Sequence, residues 1–169
     1  MSRTSKNDPR LEAYATVDEA NSHLGVVLSL GQPEEDVAAL LLRIQNDLFD
    51  VGADLCVPVI DQPAVEPLRV TTEQVEALEN AIDKYNAELS SLRSFILPGG
   101  NGTAALLHVV RTVVRRAERE AWTAINAFGD GVNPLTARYL NRLSDLLFVL
   151  ARYANRREGD QLWVPGANR

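Results

Sequence analysis

The 169-residue sequence has very little of what disulfides, metal centres and membrane spans require. It contains a single cysteine, Cys56, which excludes an intrachain disulfide and a multi-cysteine zinc site. Cys56 has no basic neighbour in sequence and is expected in the core. Neither of the 2 histidines follows a glutamate by three residues, so ferritin-like di-iron chemistry is excluded. No apolar run approaches the roughly 20 residues of a membrane span, and the N-terminus carries no signal peptide, so we expect a cytoplasmic protein.

Lysine is also scarce, and the charge is unevenly distributed. Of the 17 basic residues, 15 are arginine and 2 are lysine. Residues 1–100 hold 17 acidic and 7 basic side chains (net −10), whereas residues 101–169 hold 6 acidic and 10 basic ones (net +4). The total of −6 argues against nucleic-acid binding, which needs a broad basic surface. The asymmetry favours a confined arginine site for one small polyanion. A genome whose base composition favours arginine codons would explain the excess of arginine over lysine equally well.

Helical periodicity dominates the rest of the sequence and predicts five helices with short connectors. The expected helices cover residues 9–30, 33–56, 71 to at least 85, 103–128 and 134–157. Thr71 and Gln74 fit a capping box at the start of the third helix, and Asn133 followed by Pro134 fits the start of the fifth. Such a pattern predicts an all-α, antiparallel five-helix bundle over residues 9–157, flanked by an N-terminal segment (1–8) and a loose C-terminal tail (158–169).

The predicted fourth helix places four chemically active side chains on one face. They follow each other in steps of three, four and three residues: His108, Arg111, Arg115 and Glu118. Arginines four residues apart repel each other on an exposed helix, so either Glu118 or a bound polyanion must offset the repulsion. Guanidinium groups match phosphate oxygens bidentately, so one interpretation is an arginine clamp for phosphate. The other is a solvated face whose charges pair locally.

Polar residues beside other apolar stripes are weaker candidates. Asn141 and Asp145 lie four residues apart on the fifth helix, where they either satisfy local groups or contact a ligand. Asp18 borders the apolar stripe of the first helix, and a partly buried carboxylate there needs a cation, which the fourth-helix arginines would supply. The turn at residues 98–102 would either cradle phosphate or direct Phe95, and it fits no phosphate-loop pattern.

The sequence contains five blocks that form a specific signal when they occur together and in this order. They are residues 12–21 (EAYATVDEAN), 44–55 (IQNDLFDVGADL), 95–100 (FILPGG), 111–119 (RTVVRRAER) and 139–148 (YLNRLSDLLF). Together they resemble the PduO-type ATP:cob(I)alamin adenosyltransferases over about residues 5–155. The resemblance implies a bundle of the ferritin-like, cobalamin adenosyltransferase type, assembled as a homotrimer with active sites between subunits. Its substrates would be a reduced corrinoid and ATP with Mg²⁺, and its products adenosylcobalamin and triphosphate.

The resemblance also implies roles for four site residues. Arg111 and Arg115 would hold the triphosphate while charge develops on it, as the cobalt(I) attacks the 5′ carbon of ATP. Asp18 would pair with Arg111 across the subunit boundary. Phe95 would press against the corrin from below and exclude the lower axial ligand, so that the cobalt is more easily reduced.

Three further residues are implied to bind ATP. Asn141 matches the family's nucleotide-contacting amide, Glu118 matches the acid of the arginine motif, and Lys6 belongs to a Ser-Lys segment that reaches the phosphates. The family usually carries a Thr-Gly-Asp-x-Gly loop upstream of that segment, and its backbone wraps the ATP phosphates. This sequence starts four residues before Ser5 without such a loop. The alternative hypothesis is therefore a catalytically impaired corrinoid-binding or helical interaction protein of the same fold.

Overall fold

A computed structural model describes residues 5–169 of the chain, and five α-helices account for most of them. Their bounds are α1 Pro9–Val26, α2 Glu35–Cys56, α3 Thr72–Asn86, α4 Gly102–Phe128 and α5 Leu135–Ala154. A π-helical turn, Val27–Gly31, extends α1, and a 3₁₀ turn, Gly129–Gly131, follows α4. The described residues form no β-sheet, so the predicted all-α class is confirmed. None of the helices in residues 5–169 combines the length and apolar character that a membrane crossing requires.

The helix starts follow the capping chemistry read from the sequence. The Gln74 side chain accepts a hydrogen bond from the Thr71 N–H at 3.0 Å, as the capping box predicts. Asn133 Oδ1 accepts from the Leu135 N–H at 3.1 Å at the start of α5. The predicted bounds were too wide elsewhere, because α2 begins at Glu35 rather than residue 33 and α5 ends at Ala154 rather than residue 157.

The core is built around α5, which packs against α3 and α4, while α1 packs against α2 and α4. The apolar residues that recur at helical spacing along α5 are all buried: Tyr139, Leu143, Leu146, Leu150 and Tyr153. Residues that flank this stripe, such as Leu140 and Leu147, are buried as well. A helix that is covered nearly all round lies inside its bundle.

The expectation that Cys56 lies in the core is wrong, because its side chain is exposed. Cys56 is the last residue of α2, beyond the buried Leu55. The sequence predicted that the second helix ends at residue 56, but that end did not show whether the last side chain is buried.

The expectation of a loose tail over residues 158–169 is wrong for residues 160–163. Residues 161–163 pair with residues 94–97 through two backbone hydrogen bonds, Trp163 N–H to Phe95 O (2.7 Å) and Leu97 N–H to Gln161 O (2.8 Å). The nearly buried Arg152 holds Asp160 at 2.9 Å, which fixes the start of this segment against α5. The C-terminal residues therefore form one wall of the structure around Phe95.

The turn before α4 is fixed by two asparagines. Asn155 Oδ1 accepts from the Asn101 N–H at 3.0 Å, and its Nδ2 donates to the Gly99 carbonyl at 3.2 Å. Asn101 in turn caps α4 through the Ala104 N–H. Gly100 has φ +105° and a Cβ there would collide with the Asn155 amide, so glycine is required. The Asn101 and Ala104 N–H groups are therefore bonded within the chain and are not available to a phosphate.

Candidate functional site

A cavity of about 710 Å³ opens beside α4, and it is called the α4 cavity below. Its wall combines aromatic rings with cations and one imidazole: Phe95, Phe148, Trp163, Arg93, Arg111 and His108. A largely apolar cavity with a few convergent polar groups is the usual form of a small-molecule site. The structure thus brings together Phe95, Arg111 and His108, which sequence analysis had placed on two separate segments.

Phe95 is displayed toward solvent rather than packed in the core. Its side chain is 78% exposed, and its ring meets Trp163 edge to face, with centroids 6.0 Å apart. The pairing of residues 94–97 with residues 161–163 holds both rings on the same wall. Such exposure of a large aromatic side chain indicates a contact surface for a ligand or a partner.

Arg111 is half-buried at the edge of this cavity, and it has no carboxylate partner within residues 5–169. Its Nε is buried without a hydrogen-bond acceptor. Burial lowers the pKa of Arg111, and the nearby charge of Arg115 lowers that pKa further. An arginine side chain stays protonated despite such a shift, so the cavity edge carries a desolvated positive charge.

Arg115 is exposed one turn along α4, and no ion pair among the described residues uses its guanidinium group. Its neighbour Arg116, by contrast, pairs with Glu19 of α1. Glu118 accepts a hydrogen bond from Asn141 Nδ2 at 3.0 Å instead of pairing with either arginine. Local pairing therefore does not offset the repulsion between Arg111 and Arg115 in the described chain, which favours the interpretation of a polyanion clamp.

Asn141 and Asp145 differ in what they do. Asp145 is held by Arg142 at 2.8 Å, so it satisfies a local charge. A carboxylate only accepts hydrogen bonds, so Glu118 fixes the Asn141 amide with its nitrogen toward Glu118. The side-chain oxygen of Asn141 accepts no hydrogen bond within residues 5–169 and is available to a ligand.

Asp18 lies in a different place, a groove of about 350 Å³ between α1 and α2. Its side chain is exposed, and no cation of the described chain pairs with it, including the α4 arginines. Leu42 and Phe49 flank the groove with side chains 57% and 65% exposed. Lys6 is likewise exposed, in the turn before α1. Neither Asp18 nor Lys6 joins the α4 cavity residues within a single chain.

The residues of the α4 cavity that sequence reasoning missed include Arg93, Phe148 and Trp163. Trp163 belongs to the segment that was expected to be loose, and the apolar run at residues 162–164 was the available signal. Phe148 was part of a recognised block, but its spacing on α5 did not show which cavity it lines. Across residues 5–169, no three His, Cys, Asp or Glu side chains are grouped to hold a metal ion.

Comparison with known proteins gives concordant results at the level of sequence and of structure. The sequence model of the family described as cobalamin adenosyltransferase matches residues 1–154. The corrinoid adenosyltransferase of Mycobacterium tuberculosis H37Rv is 55% identical over 169 residues, covering 100% of this chain and 87% of the relative. The corrinoid adenosyltransferase of Bacillus subtilis is 45% identical, covering 93% and 80%.

A solved structure is also similar along nearly the whole chain. It is a PduO-type ATP:corrinoid adenosyltransferase from Lactobacillus reuteri, a phenylalanine-to-alanine variant complexed with cobalamin and ATP. The TM-score is 0.86 at 39% sequence identity, and the match covers 95% of this chain and 88% of the other.

Proposed function

Because this chain belongs to the cobalamin adenosyltransferase family, we propose that its α4 cavity receives a reduced corrinoid beside a triphosphate site at Arg111 and Arg115. The enzyme transfers the 5′-deoxyadenosyl group of ATP to cobalt(I) of the corrinoid and releases triphosphate. The observation that carries the site assignment is the meeting of an aromatic wall with a desolvated arginine that has no carboxylate partner in residues 5–169. A flat, largely apolar ring system fits the wall, and a polyanion fits the edge.

The arginines act on the leaving group. As cobalt attacks the 5′ carbon, the carbon–oxygen bond to the triphosphate breaks, and negative charge accumulates on the departing oxygen. Arg111, which is partly desolvated, interacts with that charge more strongly than an arginine in bulk water would. Arg115 adds a second guanidinium group, which forms bidentate hydrogen bonds with the same polyanion. Neither group pairs with a carboxylate within the described chain, so both are available to the charge that develops.

The nucleoside end of ATP is assigned to Asn141 and Glu118. Glu118 holds the Asn141 amide in one orientation, which leaves the amide oxygen for an N–H group of the nucleotide. Lys6 would approach the phosphates from the turn before α1. Mg²⁺ accompanies the ATP, and phosphate oxygens and water would supply most of its ligands, since residues 5–169 hold no ready metal cluster.

The active site is completed by a neighbouring subunit of a homotrimer in this proposal. Asp18 and Arg111 both lack an ion-pair partner in the described chain, and they line different clefts. Exposed Leu42 and Phe49 beside Asp18 form an apolar patch suited to burial against a second copy. Closing a ring of three would place Asp18 of one subunit next to Arg111 of the next. A cytoplasmic location remains part of the proposal.

Anaerobic incubation of the chain with ATP and chemically reduced cobalamin tests the function. We expect the absorbance of cob(I)alamin to decay only when ATP is present, with triphosphate formed in equal amount. Binding of corrinoid without ATP-dependent decay would support the alternative of an impaired corrinoid-binding protein. That alternative is not favoured, because sequence similarity to named adenosyltransferases extends over the whole chain.

Phe95→Ala is expected to impair the reaction that starts from cob(II)alamin far more than the reaction that starts from cob(I)alamin. The exposed ring excludes a lower axial ligand from the corrin, and its loss lets that ligand or water return. Cobalt(II) is then harder to reduce, whereas cobalt(I) holds no strong axial ligand and still attacks ATP. The two assays are run on the same variant, so each controls the other. Equal losses in both, together with a lower melting temperature, would assign Phe95 to the fold instead.

A further inference from the structure

Two buried polar atoms of the α4 cavity have no partner in the described chain. His108 is only 3% exposed, and its Nδ1 finds no hydrogen bond. Arg111 Nε, one turn along α4, is likewise buried and has no hydrogen-bond partner in the described chain. Buried polar groups are nearly always hydrogen-bonded, so the orphaned His108 Nδ1 on the cavity wall indicates a group that a ligand satisfies. In the proposed trimer Asp18 of a neighbouring subunit faces Arg111, and the five N–H donors of a guanidinium group are enough for that carboxylate and a ligand together.

The fold makes no use of the polarity of His108. Its ring meets Phe148 edge to face, with centroids 6.3 Å apart, a contact that an apolar ring would make equally well. The charged groups that act on it are Arg111, on its own helix, and Asp160, in the C-terminal segment. Burial lowers the pKa of His108, Arg111 lowers it further, and Asp160 opposes the shift. The imidazole is therefore neutral near pH 7, with one nitrogen that donates and one that accepts.

We propose that His108 and Arg111 together bind a primary carboxamide on the rim of the corrin ring, and that His108 is a specificity-determining residue for amide-bearing corrinoids. The amide carbonyl accepts from Arg111 Nε–H, while the amide N–H donates to His108 Nδ1. One ligand group thus satisfies both orphaned atoms. This inference rests on the proposed function, which places the corrinoid in the α4 cavity.

Other ligand groups satisfy the pair less well. A carboxylate, a phosphate or an ester accepts hydrogen bonds but has none to donate, so His108 Nδ1 would have to turn into a donor. A carboxamide is the one group on a corrin rim that offers a donor and an acceptor side by side. Discrimination of this kind is strong because the wrong ligand leaves a buried group unsatisfied.

A binding cycle tests the inference without turnover. The ATP-bound wild-type enzyme, His108→Phe and His108→Asn are titrated with two cobalt(II) probes, followed by corrinoid absorbance. One probe is cobinamide, whose rim carries primary carboxamides, and the other is a corrinoid with methyl esters in their place. His108→Asn keeps a hydrogen-bond acceptor, the amide oxygen, near the position of Nδ1, whereas His108→Phe keeps only the ring.

We expect His108→Phe to weaken cobinamide binding roughly tenfold while changing methyl-ester binding by less than about twofold. His108→Asn is expected to retain cobinamide affinity within about threefold. The ATP affinity and melting temperature of both variants should match those of the wild type. Should His108→Phe fail to fold, His108→Leu supplies the same cycle.

The inference would be overturned if His108→Phe weakened the binding of both probes equally or weakened the binding of neither. A lower melting temperature in both variants with equal loss of affinity would overturn it as well, because His108 would then be structural. If the wild-type enzyme bound neither probe, the proposed function itself would fail. Failure of the inference alone leaves wild-type binding and turnover intact, so the two results are distinguishable.

Discussion

Arg115→Ala is expected to lower turnover about 10²–10³-fold while leaving the fold unchanged, by analogy with the loss of one preorganised donor to a developing anion. Arg115 is exposed, and no ion pair in residues 5–169 depends on its guanidinium group. Its removal therefore takes nothing from the core. The loss falls on the transition state, because negative charge accumulates on the departing triphosphate oxygen there.

The measurement is kcat with saturating ATP and prereduced cobalamin, together with far-UV circular dichroism and a thermal melt. Arg138→Ala is the control, since Arg138 is an exposed arginine at the start of α5 whose ion pair with Glu79 spans 3.9 Å. The control should keep both turnover and stability. An Arg115→Ala variant that melts much lower but turns over normally would show that Arg115 belongs to the fold and not to the site.

Asp54→Ala is expected to destabilise the folded chain by about 3–5 kcal/mol, the usual cost of removing one partner from a buried charge pair. The Asp54 side chain is fully buried, and its two oxygens accept from three donors. These are Arg69 Nη1 (2.6 Å), the Val70 N–H (2.7 Å) and Asn133 Nδ2 (2.7 Å). The substitution leaves a cavity and removes three hydrogen bonds where the loop before α3 meets the start of α5. Arg69 Nη1 and Asn133 Nδ2 keep backbone acceptors, whereas the buried Val70 N–H loses its acceptor.

Urea unfolding at one fixed protein concentration measures this effect, because the stability of an oligomer depends on concentration. Asp61→Ala provides the control, as Asp61 is an exposed aspartate of the same loop. Its free energy of unfolding should change by no more than about 0.5 kcal/mol. A similarly small change for Asp54→Ala would mean that the buried network contributes little to stability.

The helices could be predicted from the sequence because their signals are local. Apolar spacing on α5 and the Thr71–Gln74 capping box depend on residues within two turns of one another. The backbone hydrogen bonds that shape the α4 cavity, in contrast, join residues that are far apart in the sequence. The Trp163 N–H, near the C-terminus, donates to the Phe95 carbonyl, and no local sequence pattern predicts an isolated backbone pairing of that kind.

The candidate site shows the same division between local and non-local information. Helical spacing was sufficient to place His108, Arg111 and Arg115 on one side of α4, because steps of three and four residues fix that geometry. It did not show that Glu118 turns to Asn141 or that Asp18 occupies a separate groove. Those facts depend on how the helices pack, and the role proposed for Asp18 depends further on a neighbouring subunit.

Subunit mixing tests most directly the central claim that neighbouring subunits share each active site. Arg115→Ala and Asp18→Asn chains, each inactive alone, are unfolded together and refolded, and light scattering verifies the trimer. Random mixing leaves one intact site in every mixed ring of three, so about a quarter of wild-type turnover should return. Turnover that stays at the level of the separate variants, or a particle with the mass of one chain, would contradict the shared site.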